Sequence, residues 1–118
     1  MRLSEASFGG AQPIEGYGPG FFRIGGQVHE GAVLVSEAGV TGWGGYDDLA
    51  PLLALSDAVD VLFIGTGSEI APLPSGVRSA LEEAGLGVEM MASPTACRSY
   101  NVLLSEGRRV AAALLPVG

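Results

Sequence analysis

One nine-residue stretch, SPTACRSYN at positions 93–101, holds the side chains whose types and spacing could do chemistry. It contains the chain's single cysteine, Cys97, next to Arg98 and four residues before Asn101. A helix N-terminus and a neighbouring cation both favour a reactive thiolate. A free cysteine is also among the most buried residue types, so the same group could simply pack a helix. The structural interpretation is favoured, because the only histidine, His29, is distant in the chain and no base adjoins the thiol.

Asn101 has two readings of its own. Asparagine is a poor residue in the middle of a helix, because its side chain competes for backbone hydrogen bonds. We expect its amide to bond to the backbone of a neighbouring loop, although it could equally face a ligand.

The elements that position these residues form a predicted strand–helix–strand unit. VDVLFIG, at 59–65, is typical of a strand buried on both faces, and LGVEMM, at 86–91, predicts a second inner strand. Between them the spacing of apolar residues predicts a helix that begins near Pro74 and ends at Gly85. A final helix is then expected, capped by Ser93 and ended by Gly107. RRVAAALL closes the chain as a strand.

Parallel strands place the loops that follow them at one edge of a sheet, where ligands bind. The loop GTGSE and the start of the final helix should therefore share a crevice that suits anions, since free N–H groups of the helix face it. Arg98 in the first turns opposes the helix dipole, so a negative partner is expected. Glu69 or another acid of the chain is the favoured partner, and a bound anion or a carboxylate of another protein is the alternative. The candidate crevice consists of Gly65, Thr66, Gly67, Ser68, Thr95, Cys97, Arg98 and Asn101.

Other site types are disfavoured by the motifs that are missing. GTGSE fits neither GxGxxG nor GxxxxGK[ST], so no nucleotide cofactor is expected. No metal-ligand cluster and no pair of catalytic carboxylates can be recognised, and we predict neither a metal nor a catalytic residue.

The first third of the chain predicts a β-meander from Ile14 to Val35, with glycine-rich turns at 18–20 and 25–26. Gly31 is expected to mark a bulge in its last strand. Downstream of the glycine-rich GVTGWGG, a short helix opened by Asp47 and Asp48 is predicted.

Composition sets the remaining limits. The 118 residues and 47% apolar content predict one domain, residues 14–118, after a flexible lead-in of residues 1–13. Net charge is −7, without any lysine, so nucleic acid is not expected as a partner. No apolar run approaches the ~20 residues of a membrane span. One cysteine excludes an internal disulfide, and a cytoplasmic protein is predicted.

The order of these segments resembles a known family. The similarity runs from Ile14 to Pro116, and its most specific parts are GTG after the inner strand and ACRSYNVLLSEGRR in the final helix. The supporting segments are IEGYGPGFFRIGG, GAVLV, a tryptophan, VLFIGTGSE, LEEAGLGVEMM and the closing RRVAAALLP. On these residues the chain is similar to the Mth938-like family, also called DUF498, which includes a mitochondrial complex I assembly factor.

This resemblance implies an α/β fold of three layers around a mixed β-sheet, containing the βαβ unit and the N-terminal meander. It implies no settled enzymatic activity, and members with an assigned role act as assembly or accessory proteins. The family's characteristic positions are Gly65, Thr66, Gly67, Cys97, Arg98, Tyr100 and Asn101, with no catalytic role attached to them. Ser99 stands where threonine is common, and Ser93-Pro94 replaces a threonine–glycine pair, which narrows the predicted crevice.

Two functions follow. The first is a small, soluble, non-catalytic binding or assembly-factor-like protein that has a protein partner and aids biogenesis of membrane or respiratory complexes. The alternative is an enzyme or sensor of small anions that uses the GTGSE loop, Arg98 and Cys97. The positive mean hydropathy also admits a homodimer.

Overall fold

The computed structural model describes residues 12–118, so the predicted lead-in lies outside the described residues apart from Gln12 and Pro13. The strands are β1 (Ile14–Gly18), β2 (Phe21–Ile24), β3 (Gln27–Glu30), β4 (Val33–Ser36), β5 (Gly39–Gly42), β6 (Val61–Gly65), β7 (Gly87–Met91) and β8 (Val110–Leu114). The helices are α1 (Ala50–Leu53), α2 (Val77–Glu83) and α3 (Ser93–Ser105), with a 3₁₀ turn at Gly45–Asp47.

A five-stranded mixed sheet forms the middle of the molecule, in the order β5-β4-β8-β6-β7. β6 runs parallel to both β7 and β8, whereas β4 runs antiparallel to β5 and β8. The predicted βαβ unit is therefore present as β6-α2-β7. Strand β7 is one of the two edges of this sheet.

Alternating side chains of the central strands build two cores, because successive residues of a strand point to opposite faces. In β8, Val110, Ala112 and Leu114 join the core on one face, and Ala111 and Ala113 join the core on the other. All five are buried, which explains the continuous apolar run in the sequence.

Two outer layers cover the sheet. One face is covered by α3 together with a three-stranded antiparallel sheet of β1, β2 and β3, and its core includes Phe22 and Tyr100. The opposite face is covered by α1 and α2, through Leu52, Val77 and Leu81. This arrangement confirms the predicted three-layer α/β fold with its mixed sheet and N-terminal meander.

Some local predictions were wrong. The strand containing Val35 belongs to the central sheet and not to the meander, because β4 pairs with β5 and β8. Gly31, with φ +82°, lies between β3 and β4 and makes no bulge, as it turns the chain from one sheet to the other. The observed irregularity lies in β1, between Ile14 and Gly16. The glycine-rich segment after β4 forms a strand, β5, since pairing with β4 outweighs its poor strand propensity.

Two helix starts were also misplaced. Helix α1 has Leu49 at its N-cap and no side-chain cap, while the carboxylate of Asp48 accepts a bond from the Gly44 N–H instead. Helix α2 begins at Val77, three residues after Pro74, because Gly76 adopts φ +86° and interrupts a helical path.

Candidate functional site

Ser93 joins the loop after β6 to the start of α3. Its side chain is fully buried, and its hydroxyl donates to the Leu115 carbonyl at 2.6 Å and accepts from the Gly67 N–H at 3.0 Å. Its own N–H donates to the Gly67 carbonyl at 2.8 Å. The prediction that Ser93 caps the helix was wrong, since Ala92 is the N-cap and no side chain caps it. Ser93 instead links three segments: the loop after β6, the start of α3 and the segment after β8. We call this set of contacts the Ser93 joint.

Position 65 must be glycine, because the end of β6 lies very close to Ser93. A Cβ on Gly65 would lie 2.6 Å from the Ser93 Oγ and 2.9 Å from its Cα. Such contacts leave no room for a side chain at position 65, between the end of β6 and the first turn of α3. The two segments therefore meet as predicted, but they meet in direct contact.

The hydroxyls of this loop are also occupied. Thr66 donates to the Glu69 carbonyl at 2.7 Å and accepts from the Ala71 N–H at 3.0 Å, which closes the loop on itself. The Ser68 hydroxyl accepts from the Gly118 N–H at 2.9 Å. These bonds give Thr66 and Ser68 a structural role in holding the loop and the C-terminal residues.

Cys97 lies on the inner face of α3, and its side chain is 4% exposed within the core that contains Phe22 and Phe63. Burial raises its pKa from 9.0 to about 11, although the positive charge of Arg98 acts in the opposite direction. Desolvation thus outweighs the neighbouring cation, and the thiol stays protonated at neutral pH. This environment is the opposite of the one that makes a nucleophile.

Asn101 bonds to strand backbone. Its Oδ1 accepts from the Ile14 N–H and its Nδ2 donates to the Ile14 carbonyl, both at 2.8 Å. Ile14 lies opposite Ile24 of β2, next to the irregularity between Ile14 and Gly16. The geometry supports the interpretation in which the Asn101 amide bonds to backbone. The backbone belongs to strand β1, and not to the expected loop.

Arg98 and Thr95 point outward and are exposed, and the guanidinium reaches the Thr95 hydroxyl at 3.4 Å. Among residues 12–118 no carboxylate lies within 4 Å of Arg98. The favoured ion pair with Glu69 is therefore wrong, because the Glu69 loop is folded onto Thr66 by its backbone.

A groove lies beside these residues, between α3 and β7. This α3–β7 groove has a volume of about 700 Å³. Its lining is mainly apolar and carries one acid and one base; the residues are Val61, Phe63, Glu89, Met91, Arg98, Ser99, Val102 and Leu103. Of the predicted crevice residues only Arg98 reaches it. One feature of the sequence could have indicated this surface. Val102 is an apolar residue on the exposed side of α3, which is otherwise polar.

The structure therefore separates the predicted crevice residues into three groups. The loop residues Gly65–Ser68 meet the start of α3 through Ser93, Cys97 and Asn101 face the interior, and Arg98 and Thr95 face outward. Within residues 12–118 no group of three metal-ligating side chains comes together. No helix in that range is long and apolar enough to cross a membrane.

Comparison with known proteins agrees with this architecture. Residues 14–115 match the family described as a protein of unknown function, DUF498/DUF598. An uncharacterised protein of Rhodobacter capsulatus is 55% identical over 117 residues, which cover 99% of this chain and 94% of that protein. NADH dehydrogenase (ubiquinone) 1 alpha subcomplex assembly factor 3 of Danio rerio is 34% identical, over 98% of this chain and 70% of its own length.

Solved structures show the same fold. The crystal structure described as an outer membrane protein from Bartonella henselae superimposes with a TM-score of 0.84 at 38% identity, covering 94% of this chain and 99% of that one. The solution structure of a Mth938-like domain from Bordetella pertussis gives a TM-score of 0.72 at 27% identity, over 89% and 85% of the two chains. By sequence and by three-dimensional structure, this chain belongs to the DUF498 family, and its fold is Mth938-like.

Proposed function

We propose that this chain is a non-catalytic binding protein of the cytoplasm that acts as an assembly factor and aids the biogenesis of membrane or respiratory complexes. The observation that carries the proposal is the similarity to a complex I assembly factor, which extends over 98% of this chain. The similarity extends over nearly the whole chain and is not confined to one motif, which supports a related role.

The contacts of the reactive side chains support binding over catalysis. Cys97 is buried and protonated, Ser93 is fully bonded within the joint, and Asn101 is occupied by Ile14. A nucleophile needs an adjacent base and access to substrate, and Cys97 has neither among the described residues. Neither the comparisons nor the closed joint at Gly65 supports the small-anion alternative.

A binding protein needs exposed groups on a rigid frame. Here large apolar side chains stand out from loops and outer elements, among them Val28, Ile70 and Val102. Exposed apolar residues that gather on one surface mark interaction sites. Of these residues Val102 lines the α3–β7 groove, where it lies beside partly buried apolar side chains and the charged Glu89 and Arg98.

The proposal can be tested by deleting the gene for this chain in its own organism. We expect a reduced amount of assembled NADH dehydrogenase complex on native gels, with its subunits still synthesised, and restoration by the wild-type gene. Restoration by Cys97→Ala is also expected, because the thiol has no chemical role. Unchanged levels of the assembled complex would contradict an assembly role, and a folded Cys97→Ala protein that did not restore them would contradict a non-catalytic one.

A further inference from the structure

The α3–β7 groove exists because α3 lies over the middle of the sheet and leaves its edge uncovered. The buried side chains of α3 pack with Phe63 of β6 and with Ala112 and Leu114 of β8. Strand β7 contributes only the partly buried Met91 to this core. Val102, on the outer side of α3, is 54% exposed. An apolar strip therefore runs along the sheet edge without a covering element among residues 12–118.

The same surface carries both signs of charge. Glu89 and Arg98 line the groove and are exposed, and within the described range neither takes part in an ion pair. A two-fold interface is made of the same patch on both copies, so it must be complementary to itself. One unpaired acid and one unpaired base around an apolar floor meet that requirement, since rotation brings each charge of one copy toward its opposite in the other.

The free edge of β7 adds hydrogen-bonding capacity. Strand β7 pairs with β6 along one side, and no described strand pairs with its other side. On that other side the Arg78 guanidinium donates to the Val88 carbonyl at 3.0 Å, so pairing with another chain is restricted to the part of the edge near Met90. An exposed strand edge is a template for pairing with another chain. Antiparallel pairing about an axis at Met90 places Glu89 opposite Met91 of the second copy and so keeps the two Glu89 carboxylates from facing each other.

We propose that two copies of this chain associate about a two-fold axis through the α3–β7 groove and the edge of β7. Arg98 of each copy pairs with Glu89 of the other, and Val102 is buried between them. This inference goes beyond the assembly role and does not rest on it, because its test measures self-association of the pure protein.

Analytical ultracentrifugation of the full chain over a wide concentration range tests the interface. The wild-type chain is expected to be dimeric at high concentration. Val102→Asp should raise the dissociation constant at least ~10-fold, because it buries an unpaired charge in the interface. Val28→Asp is the matched control, since Val28 is equally exposed, at 51%, and lies on β3 outside the groove. A monomer at every concentration overturns the proposal, as does a dimer weakened by Val28→Asp and not by Val102→Asp.

Exchanging the two charges tests the pairing itself. Glu89→Arg and Arg98→Glu should each weaken the dimer ~10-fold, because each places like charges across the interface. The double variant restores the opposite pairing and should return the dissociation constant to near the wild-type value. Both side chains are exposed, so all three variants are expected to fold, which circular dichroism checks. If the double variant is as weak as the sum of the single ones, the assigned pair is wrong.

Discussion

Asn101 and Ile14, 87 residues apart in the chain, form a closed pair of hydrogen bonds in which one side-chain amide satisfies both polar groups of one backbone residue. The pair fastens α3 to the first strand of the meander. Ile14 is buried and the two bonds are partly buried, so water is a poor substitute partner for these backbone groups.

Asn101→Ala should lower the free energy of unfolding by about 1–3 kcal/mol, since it leaves a partly buried N–H and a partly buried carbonyl without partners. Urea denaturation followed by circular dichroism measures the change. Thr95→Ala is the control on the same helix, because Thr95 is exposed and its hydroxyl contacts only Arg98 at 3.4 Å. Equal stability of the two variants would show that the Asn101 pair is not formed in solution.

Ser93→Ala should also lower the free energy of unfolding by about 1–3 kcal/mol, because the Gly67 N–H and the Leu115 carbonyl both lose their partner inside the protein. Ser105→Ala provides the comparison: Ser105 is on the same helix, but its hydroxyl is exposed and bonds only to the Val102 carbonyl. Thermal denaturation of the two variants should separate them clearly. A Ser93→Ala protein as stable as Ser105→Ala would contradict the assigned role of the joint.

The raised pKa of Cys97 leads us to expect that the folded protein loses stability at alkaline pH. Its pKa is about 11 in the folded protein and 9.0 when unperturbed, so the unfolded chain releases the thiol proton first. Stability from this group is therefore complete below pH 9 and falls as the pH rises from 9 toward 11, by at most ~1.4 kcal/mol per pH unit.

Denaturant titrations of the wild type and of Cys97→Ala at several pH values measure that slope. The variant removes only the thiol contribution, while the raised pKa of Tyr100 acts in both proteins. We expect a shallower decline for the variant between pH 9 and 11. Parallel declines would show that Cys97 is not desolvated in the folded state.

Tyr100 is fully buried, and its hydroxyl has no hydrogen-bond partner among the described residues. Tyr100→Phe should therefore raise the free energy of unfolding by about 1 kcal/mol, because it removes a polar atom that is dehydrated without compensation. Tyr17→Phe, at an exposed position, should leave stability unchanged and serves as the control. Destabilisation by Tyr100→Phe would mean that the hydroxyl is satisfied in solution.

Patterns that extend over many residues allowed much of the fold to be predicted. The β6-α2-β7 unit and the helix from Ser93 were expected from hydrophobic periodicity and from glycine stops, and both are present. Strand β5 was missed because four residues with two glycines carry no strand signal by themselves. Its pairing with β4 decides its conformation, and pairing is a property of the assembled sheet.

Less of the candidate site could be predicted from sequence patterns. Proximity of the GTGSE loop to the start of α3 could be inferred, because parallel strands end at one edge of a sheet. Whether the two segments leave a gap could not, since that depends on distances such as the 2.6 Å approach at Gly65. The groove beside β7 was not expected at all, because it arises from where α3 sits across the sheet.

By itself the sequence determined the class of fold and the family, since both reside in periodicity and in ordered motifs spread along the chain. Only the tertiary structure decided what Cys97, Arg98 and Asn101 do. Adjacent residues of a helix point in different directions, so Cys97 enters the core while Arg98 faces a groove. Burial, desolvation and partner choice are set by segments distant in the chain, and short-range sequence does not encode them.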